Sequence, residues 1–199
     1  MLHPKEITIA ASRGNLDLVK SILKQGIDIN TKGEDDKTAL MLVCEKGHED
    51  VVEYLIAQGA DITIQTNWGY TALTASMVEC EGLANIRNEL IITLIESGVD
   101  VNAKTRKISP LIAASGNGNV EIVNKLIEKG AKVNWKTSKL GEFPLLHAAW
   151  GGHVDVVKIL IEYGAKVNWK NHYGRTALGE ARKEGFKEIE KMLIDAGAK

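Results

Sequence analysis

The chain has 199 residues, of which 44% are apolar and 26% charged, with a formal net charge of -1. That balance excludes a disordered polyelectrolyte and suits a folded chain. No apolar run approaches the roughly 18 residues a membrane span needs, and Met1-Leu2-His3-Pro4-Lys5-Glu6 carries no apolar signal core.

In chain order, the first predicted element is a short helix around Ile7 to Ser12 with no hairpin ahead of it. A glycine phrase follows and then recurs. It reads Gly26-Ile27-Asp28-Ile29-Asn30, Gly59-Ala60-Asp61-Ile62-Thr63, Gly98-Val99-Asp100-Val101-Asn102, Gly130-Ala131-Lys132-Val133-Asn134 and Gly164-Ala165-Lys166-Val167-Asn168, and is cut short at Gly197-Ala198-Lys199. Its period, near 33 residues, predicts stacked supersecondary units in place of one globular core.

Between these phrases lies a second signal. Thr38-Ala39-Leu40, Thr71-Ala72-Leu73, Ser109-Pro110-Leu111, Phe143-Pro144-Leu145 and Thr176-Ala177-Leu178 each open a short helix. Gly47, Gly118, Gly152 and Gly185 close four of them, with Cys80 at that place in the third unit. A longer amphipathic helix follows each, as in Val51 to Ile56 and Val156 to Ile161, with apolar residues at i, i+1, i+4 and i+5. In the third unit, Cys80 to Gly98 is six residues longer than its counterparts, and the extra residues lie around Glu81 to Arg87. Ile86, Leu90 and Leu94 keep helical spacing there, which predicts longer helices over a protruding loop.

These phrases together resemble the ankyrin repeat family. Leu145-Leu146-His147-Ala148-Ala149-Trp150-Gly151-Gly152-His153 is the best single match. The resemblance implies an all-α repeat solenoid of six stacked repeats, each a β-hairpin loop followed by two antiparallel helices, with the two end repeats as caps. The repeats run approximately 1–28, 29–61, 62–100, 101–132, 133–166 and 167–199, as one domain. Glu180, where an inner repeat would place an apolar residue, reads with Arg182, Lys183 and Glu184 as part of a solubilising cap that completes the chain.

Residues that carry chemistry fall at repeat positions. Gly118 in Ser115-Gly116-Asn117-Gly118-Asn119 is the repeat's own glycine, which displaces a phosphate-loop reading. His48 and His153 follow that glycine and are expected to bond to neighbouring loops, and His147 to tie hairpin to helix. The five histidines lack metal-ligand spacing, and no nucleophilic triad escapes the repeat pattern. The reading is therefore no enzyme, no cofactor and no metal. Cys44 reads as a packed thiol, and two unrelated cysteines form no disulfide framework. An intracellular, cytoplasmic protein is expected.

The resemblance further implies that binding falls to residues flanking the hairpin tips and late in the first helix. Trp150, on an inner helix beside Gly151 and near Gly116 and Asn117, is the expected anchor. Trp68, Tyr70, Lys104, Arg106, Lys107, Lys139, His172, Tyr173 and Arg175 are expected at the tips. Trp135 and Trp169, one repeat apart, are expected to stack on each other.

Residues 1–100 hold eight cations and sixteen acids, and residues 101–199 hold seventeen and ten. This asymmetry favours a protein or peptide partner of acidic or mixed character over nucleic acid. The expected function is non-catalytic protein binding by a monomer. Its rivals are an inhibitor or immunity-type protein that blocks an enzyme, and a scaffold that self-associates weakly through opposed charges.

Overall fold

A computed structural model describes residue 3 and residues 5–77, 87–103 and 108–199. The chain divides into two compact units, Met1–Asp100 and Val101–Lys199. The first contains α1 (Glu6–Ser12), α2 (Leu16–Lys24), α3 (Ala39–Lys46), α4 (Glu49–Ala57), α5 (Ala72–Met77) and α6 (Arg87–Glu96). The second contains α7 (Pro110–Gly116), α8 (Val120–Glu128), α9 (Pro144–Trp150), α10 (Val154–Glu162), α11 (Ala177–Glu184) and α12 (Lys187–Asp195).

The short helices begin where their capping residues stand. The side-chain oxygens of Thr38, Ser109 and Thr176 accept the backbone N–H groups of Met41, Ile112 and Gly179. Each such cap stabilises its helix by about 1 kcal/mol. Pro110 and Pro144 sit in the first turn, where no N–H is needed. Asn15 and Asn119 cap the longer helices α2 and α8 in the same manner.

Each unit has two layers. In the second, α9 packs between α7 and α11, while α10 packs against α8 and α12. The inner helices bury small residues (Ala113, Ala114, Ala148, Ala149), which lets helices approach closely. The longer helices bury Ile122, Val123 and Leu126, and Val156, Val157 and Leu160. The expected i+5 residue is only half-buried at Ile127 and Ile161, so the buried stripe is one residue narrower than the spacing suggested. Cys44 is fully buried, as expected of a packed thiol.

Among the described residues, the expected β-hairpins appear as closed tips without strands. Among the described residues the one bridge joins Lys32 to Thr38. Tips close on single rungs, Thr66 N–H to Tyr70 O at 2.9 Å and Asn171 N–H to Arg175 O at 3.0 Å. The other tip donors turn inward to a side chain. Thr66 Oγ1 accepts from Trp68 and Tyr70, and Asn171 Oδ1 from Tyr173 and Arg175. With those donors so engaged, no ladder extends. Cys80 and the insertion around Glu81 to Ile86 lie outside the described residues.

Successive tips are clamped by the asparagines of the glycine phrase. Asn134 Oδ1 accepts from Lys166 N–H at 2.8 Å, while its Nδ2 donates to Gly164 O at 2.8 Å. Asn102 does the same to Lys132 and Gly130, and Asn168 to Lys199 and Gly197. In the first unit Asn30 Oδ1 accepts from Asp61 N–H. Thr63, which takes the asparagine's place one repeat later, turns back to its own Asp61.

Glu180 corrects the cap reading. It is 4% exposed and does not belong to a solvated face, because Arg175 neutralises it from the preceding tip. Arg182, Lys183 and Glu184 are exposed as expected.

The glycine that ends a short helix meets the ring that opens the next outer helix. A Cβ at Gly152, whose φ is +73°, would lie 2.6 Å from Phe186 Cζ. Gly130 has φ +88° with nothing within 4 Å of its Cβ position. Gly130→Ala is therefore expected to cost about 1 kcal/mol through backbone strain alone. Gly152→Ala should cost about 2–4 kcal/mol, because overpacking adds to that strain. Urea unfolding midpoints of the two variants measure the difference.

Candidate functional site

Helix α9 builds the site from its own spacing. Leu145, Leu146, Ala148 and Ala149 are buried, which leaves His147 and Trp150, three residues apart, on the remaining face. Trp150 is 52% exposed at the last position of the helix. The glycines beside it have a local cause. A Cβ on Gly151 would lie 2.4 Å from His153 Nε2, which bonds Gly116 O at 2.8 Å. A Cβ on Gly116 would meet His147 Nδ1 at 3.4 Å. Small residues around the indole thus make room for histidine contacts, and the bond expected of His153 goes to the last residue of helix α7 and not to a loop.

Arg175 lies near the indole, its guanidinium carbon 5.8 Å from the ring centroid, and the His147 ring meets the indole edge-on at 6.2 Å. Both neighbours are themselves held. Arg175 Nε and Nη2 donate to the two Glu180 oxygens at 2.7 and 2.6 Å. His147 Nε2 bonds Glu142 Oε2 at 3.0 Å, which ties helix to tip as expected. Glu142 Oε1 accepts from Asn171 Nδ2 at 2.9 Å, linking this tip to the next. The Trp150 surroundings are therefore pre-arranged by polar contacts from two tips and two inner helices.

The charges follow from these contacts. Arg175's hydrogen bonds hold the Glu180 carboxyl below the usual carboxylate range, and the same bonds raise Arg175. Burial lowers His147 from its ordinary value of 6.5, outweighing the opposing pull of Glu142.

The other expected residues divide by place. Tyr173 is 71% exposed and Lys139 is exposed. His172 is exposed and joins two tips, its N–H donating to Leu140 O at 3.0 Å and its Nδ1 lying 3.2 Å from Lys139 O. Asn117 is exposed where α7 ends. Trp68, 58% exposed, and the half-buried Tyr70 belong to the first unit. Lys104, Arg106 and Lys107 lie outside the described residues. Asn171 and Glu180 were not expected in this cluster. The signal for Glu180 was its charge in a column where Ala75 and Ala113 stand.

Trp135 and Trp169 do not stack. Trp169 meets Phe143 edge-on at 5.7 Å, because Phe143 opens α9 where other units have threonine or serine. Its indole also carries the Lys136 and Lys166 ammoniums, at 4.5 and 5.3 Å from the centroid.

A family model for ankyrin repeats (three copies) matches residues 7–105 and 111–199. The chain belongs to the ankyrin repeat family. The Escherichia coli (strain K12) ankyrin repeat protein YahD is 35% identical over 201 residues, covering 98% of this chain and 97% of that one. An ankyrin repeat domain from Acinetobacter baumannii AYE superposes with TM-score 0.82 at 30% identity, over 99% of this chain and all of that one. The human ASB11 ankyrin repeat domain gives 0.79 at 25%, over 97% of this chain and 84% of that one. A chain in the solved complex of the Bdellovibrio bacteriovorus predatory endopeptidase Bd0816 with the immunity protein Bd3460 gives 0.79 at 27%, over 95% and 96%. The repeat solenoid expected from the sequence is thereby established, and ankyrin repeats mark a protein–protein interaction module that is generally non-catalytic. Among the described residues, no helix is long and apolar enough to cross a membrane.

Two predictions follow from the Arg175 and His147 contacts. Arg175→Ala leaves Glu180 buried without its cation, at an expected cost of about 1–3 kcal/mol, moderated because Arg175 is partly exposed. Arg175→Ala with Glu180→Ala should cost less than Arg175→Ala alone, since alanine already occupies that column elsewhere. Denaturant midpoints of single and double variants check the order.

Because the folded His147 titrates below 6.5, its contribution to stability is whole above pH 6.5. It is lost as pH falls below that value, when the unfolded chain takes up the proton first. Glu180 adds a separate loss that begins below 4.5, its ordinary value. His147→Gln should flatten the stability profile between pH 6.5 and the onset of carboxylate titration, as measured by urea unfolding across that range.

Proposed function

We propose that the chain holds one protein or peptide partner against the inner-helix face of its second unit, with Trp150 as the anchor. The observation that carries this reading is a half-exposed indole at the end of α9, held between Arg175 and His147, whose own partners are fixed. An aromatic ring already ordered by its neighbours loses little freedom on association, and such anchors dominate binding energy in interfaces. Tyr173, His172 and Lys139 at the tips, with Asn117 at the end of α7, supply the rim. Trp68 and Tyr70 offer a contact surface on the first unit. The partner is of acidic or mixed character, since cations outnumber acids in residues 101–199.

A blocking role, in which the partner is an enzyme and binding inhibits it, is the second reading. The likeness to a chain in the endopeptidase–immunity protein complex supports it. Both readings share the surface and differ in what the partner does, so assaying the purified partner with and without this chain separates them.

Affinity purification from the source cell with mass spectrometry supplies the partner. Titration of that partner should show Trp150→Ala weakening binding more than about tenfold, or roughly 1.4 kcal/mol, with unchanged helix content by circular dichroism. Unchanged affinity, or a collapsed fold, would defeat the anchor assignment.

A further inference from the structure

The second unit carries a concentration of positive charge apart from Trp150. Its hairpin segments, 130–143 and 164–176, hold Lys132, Lys136, Lys139, Lys166, Lys170 and Arg175. Their one acid is Glu142, which is engaged by His147 and Asn171, and Arg175 is engaged by Glu180. Among the described residues, none of Lys132, Lys136, Lys166 and Lys170 has a carboxylate within ion-pair distance.

These four lysines are ordered into two rows. Lys132 and Lys166 occupy one repeat position, and Lys136 and Lys170 another. The Asn134 clamp to Lys166 N–H holds the two copies in register. The rows converge on one ring, since the Lys136 and Lys166 ammoniums, from successive repeats, both lie against the Trp169 indole. Lys136 Nζ also donates to Lys170 O at 2.7 Å. Two of the four cations are thus pre-placed by the fold, and the other two are exposed. Like charges gathered without counter-charge repel one another, and a bound carboxylate relieves that repulsion.

We propose that this basic edge binds an extended acidic segment of the protein partner, and that it reads carboxylates spaced three residues apart. The spacing follows from geometry. Neighbouring repeats stack at helix-packing distances of roughly 8–10 Å. A segment in the extended polyproline II conformation advances about 3.1 Å per residue with three residues per turn, so three residues carry it from one repeat to the next and return its side chain to the same face. Successive carboxylates then meet lysines of successive repeats. A continuous acidic run would place most of its carboxylates on the faces of the segment turned away from these lysines. The inference rests on the reading that the chain binds a protein, and it concerns an edge distinct from the α9 face.

The test is fluorescence anisotropy with the full chain at low ionic strength. One labelled Gly-Ser peptide has a glutamate at every third residue, and its isomer has the same glutamates contiguous. The spaced peptide should bind about fivefold more tightly than its isomer. Lys132→Gln with Lys170→Gln, two exposed side chains away from the Trp169 ring, should weaken the spaced peptide about tenfold while the far-ultraviolet spectrum stays unchanged. Lys136→Gln with Lys166→Gln should do the same. Trp150→Ala should leave peptide binding unaltered. Equal binding of the isomers, or wild-type affinity in both lysine variants, overturns the proposal. So does displacement of the peptide by a single-stranded oligonucleotide at concentrations below those at which the peptide itself competes. Loss of peptide binding in Trp150→Ala alone would place the peptide on the α9 face, overturning the edge assignment and leaving the Trp150 reading intact. Failure of Trp150→Ala to weaken the natural partner, with the lysine variants behaving as expected, would overturn only the Trp150 reading.

Discussion

Register between repeats depends on one short side chain. The amide of Asn134 accepts a backbone N–H from the next repeat and donates to a backbone carbonyl of the same stretch, Lys166 and Gly164. Both backbone groups belong to a loop with no ladder of its own, so without the amide they would need water or remain unsatisfied. Each bond contributes only about 0.5–1.5 kcal/mol. Repetition at Asn102 and Asn168 makes the sum decisive, because one clamp orients the tip from which the next begins. Everything placed on the tips of the second unit inherits that alignment, from the lysine rows to the Glu142–Asn171 contact.

The tips do two jobs with similar residues. Glu142 and Arg175, each directly ahead of the residue that opens a short helix, reach that helix and bind His147 and Glu180. Lys37 reaches Glu45 in the first unit in the same way, at 2.6 Å. These charges fix tip to helix, so their field is largely cancelled locally. Lys132, Lys139 and Lys170 have no such assignment among the described residues. Counting tip cations together therefore overstates what is available to a partner, and sorting them by contact separates structural pairs from free charge. Trp150 belongs with the second group in exposure but depends on the first for its orientation.

Much of this was legible before any coordinates. The glycine phrase and the threonine or proline openers marked helix ends correctly, because capping is local: a hydroxyl three residues from an N–H finds it wherever the helix lies. The exposure of Trp150 was legible too, since its position in the repeat determines its face. The Trp135–Trp169 pairing was misread because equal repeat position says nothing about rotamer, and Phe143 offered the better edge. Glu180 was misread because a charge on an inner helix looks solvated until its partner, five residues earlier on a tip, is seen to fold over it.

The linear order of residues determined the period, the family, the capped helix starts and the column each residue occupies, all of which depend on neighbours within one repeat. Tertiary structure alone decided which members of a column meet. Arg175 with Glu180, Trp169 with Phe143, and two lysines from successive repeats on one indole are contacts between a loop and a helix, or between repeats. The physical reason is that such contacts depend on side-chain direction and competing partners in space, and a repeating pattern assigns neither.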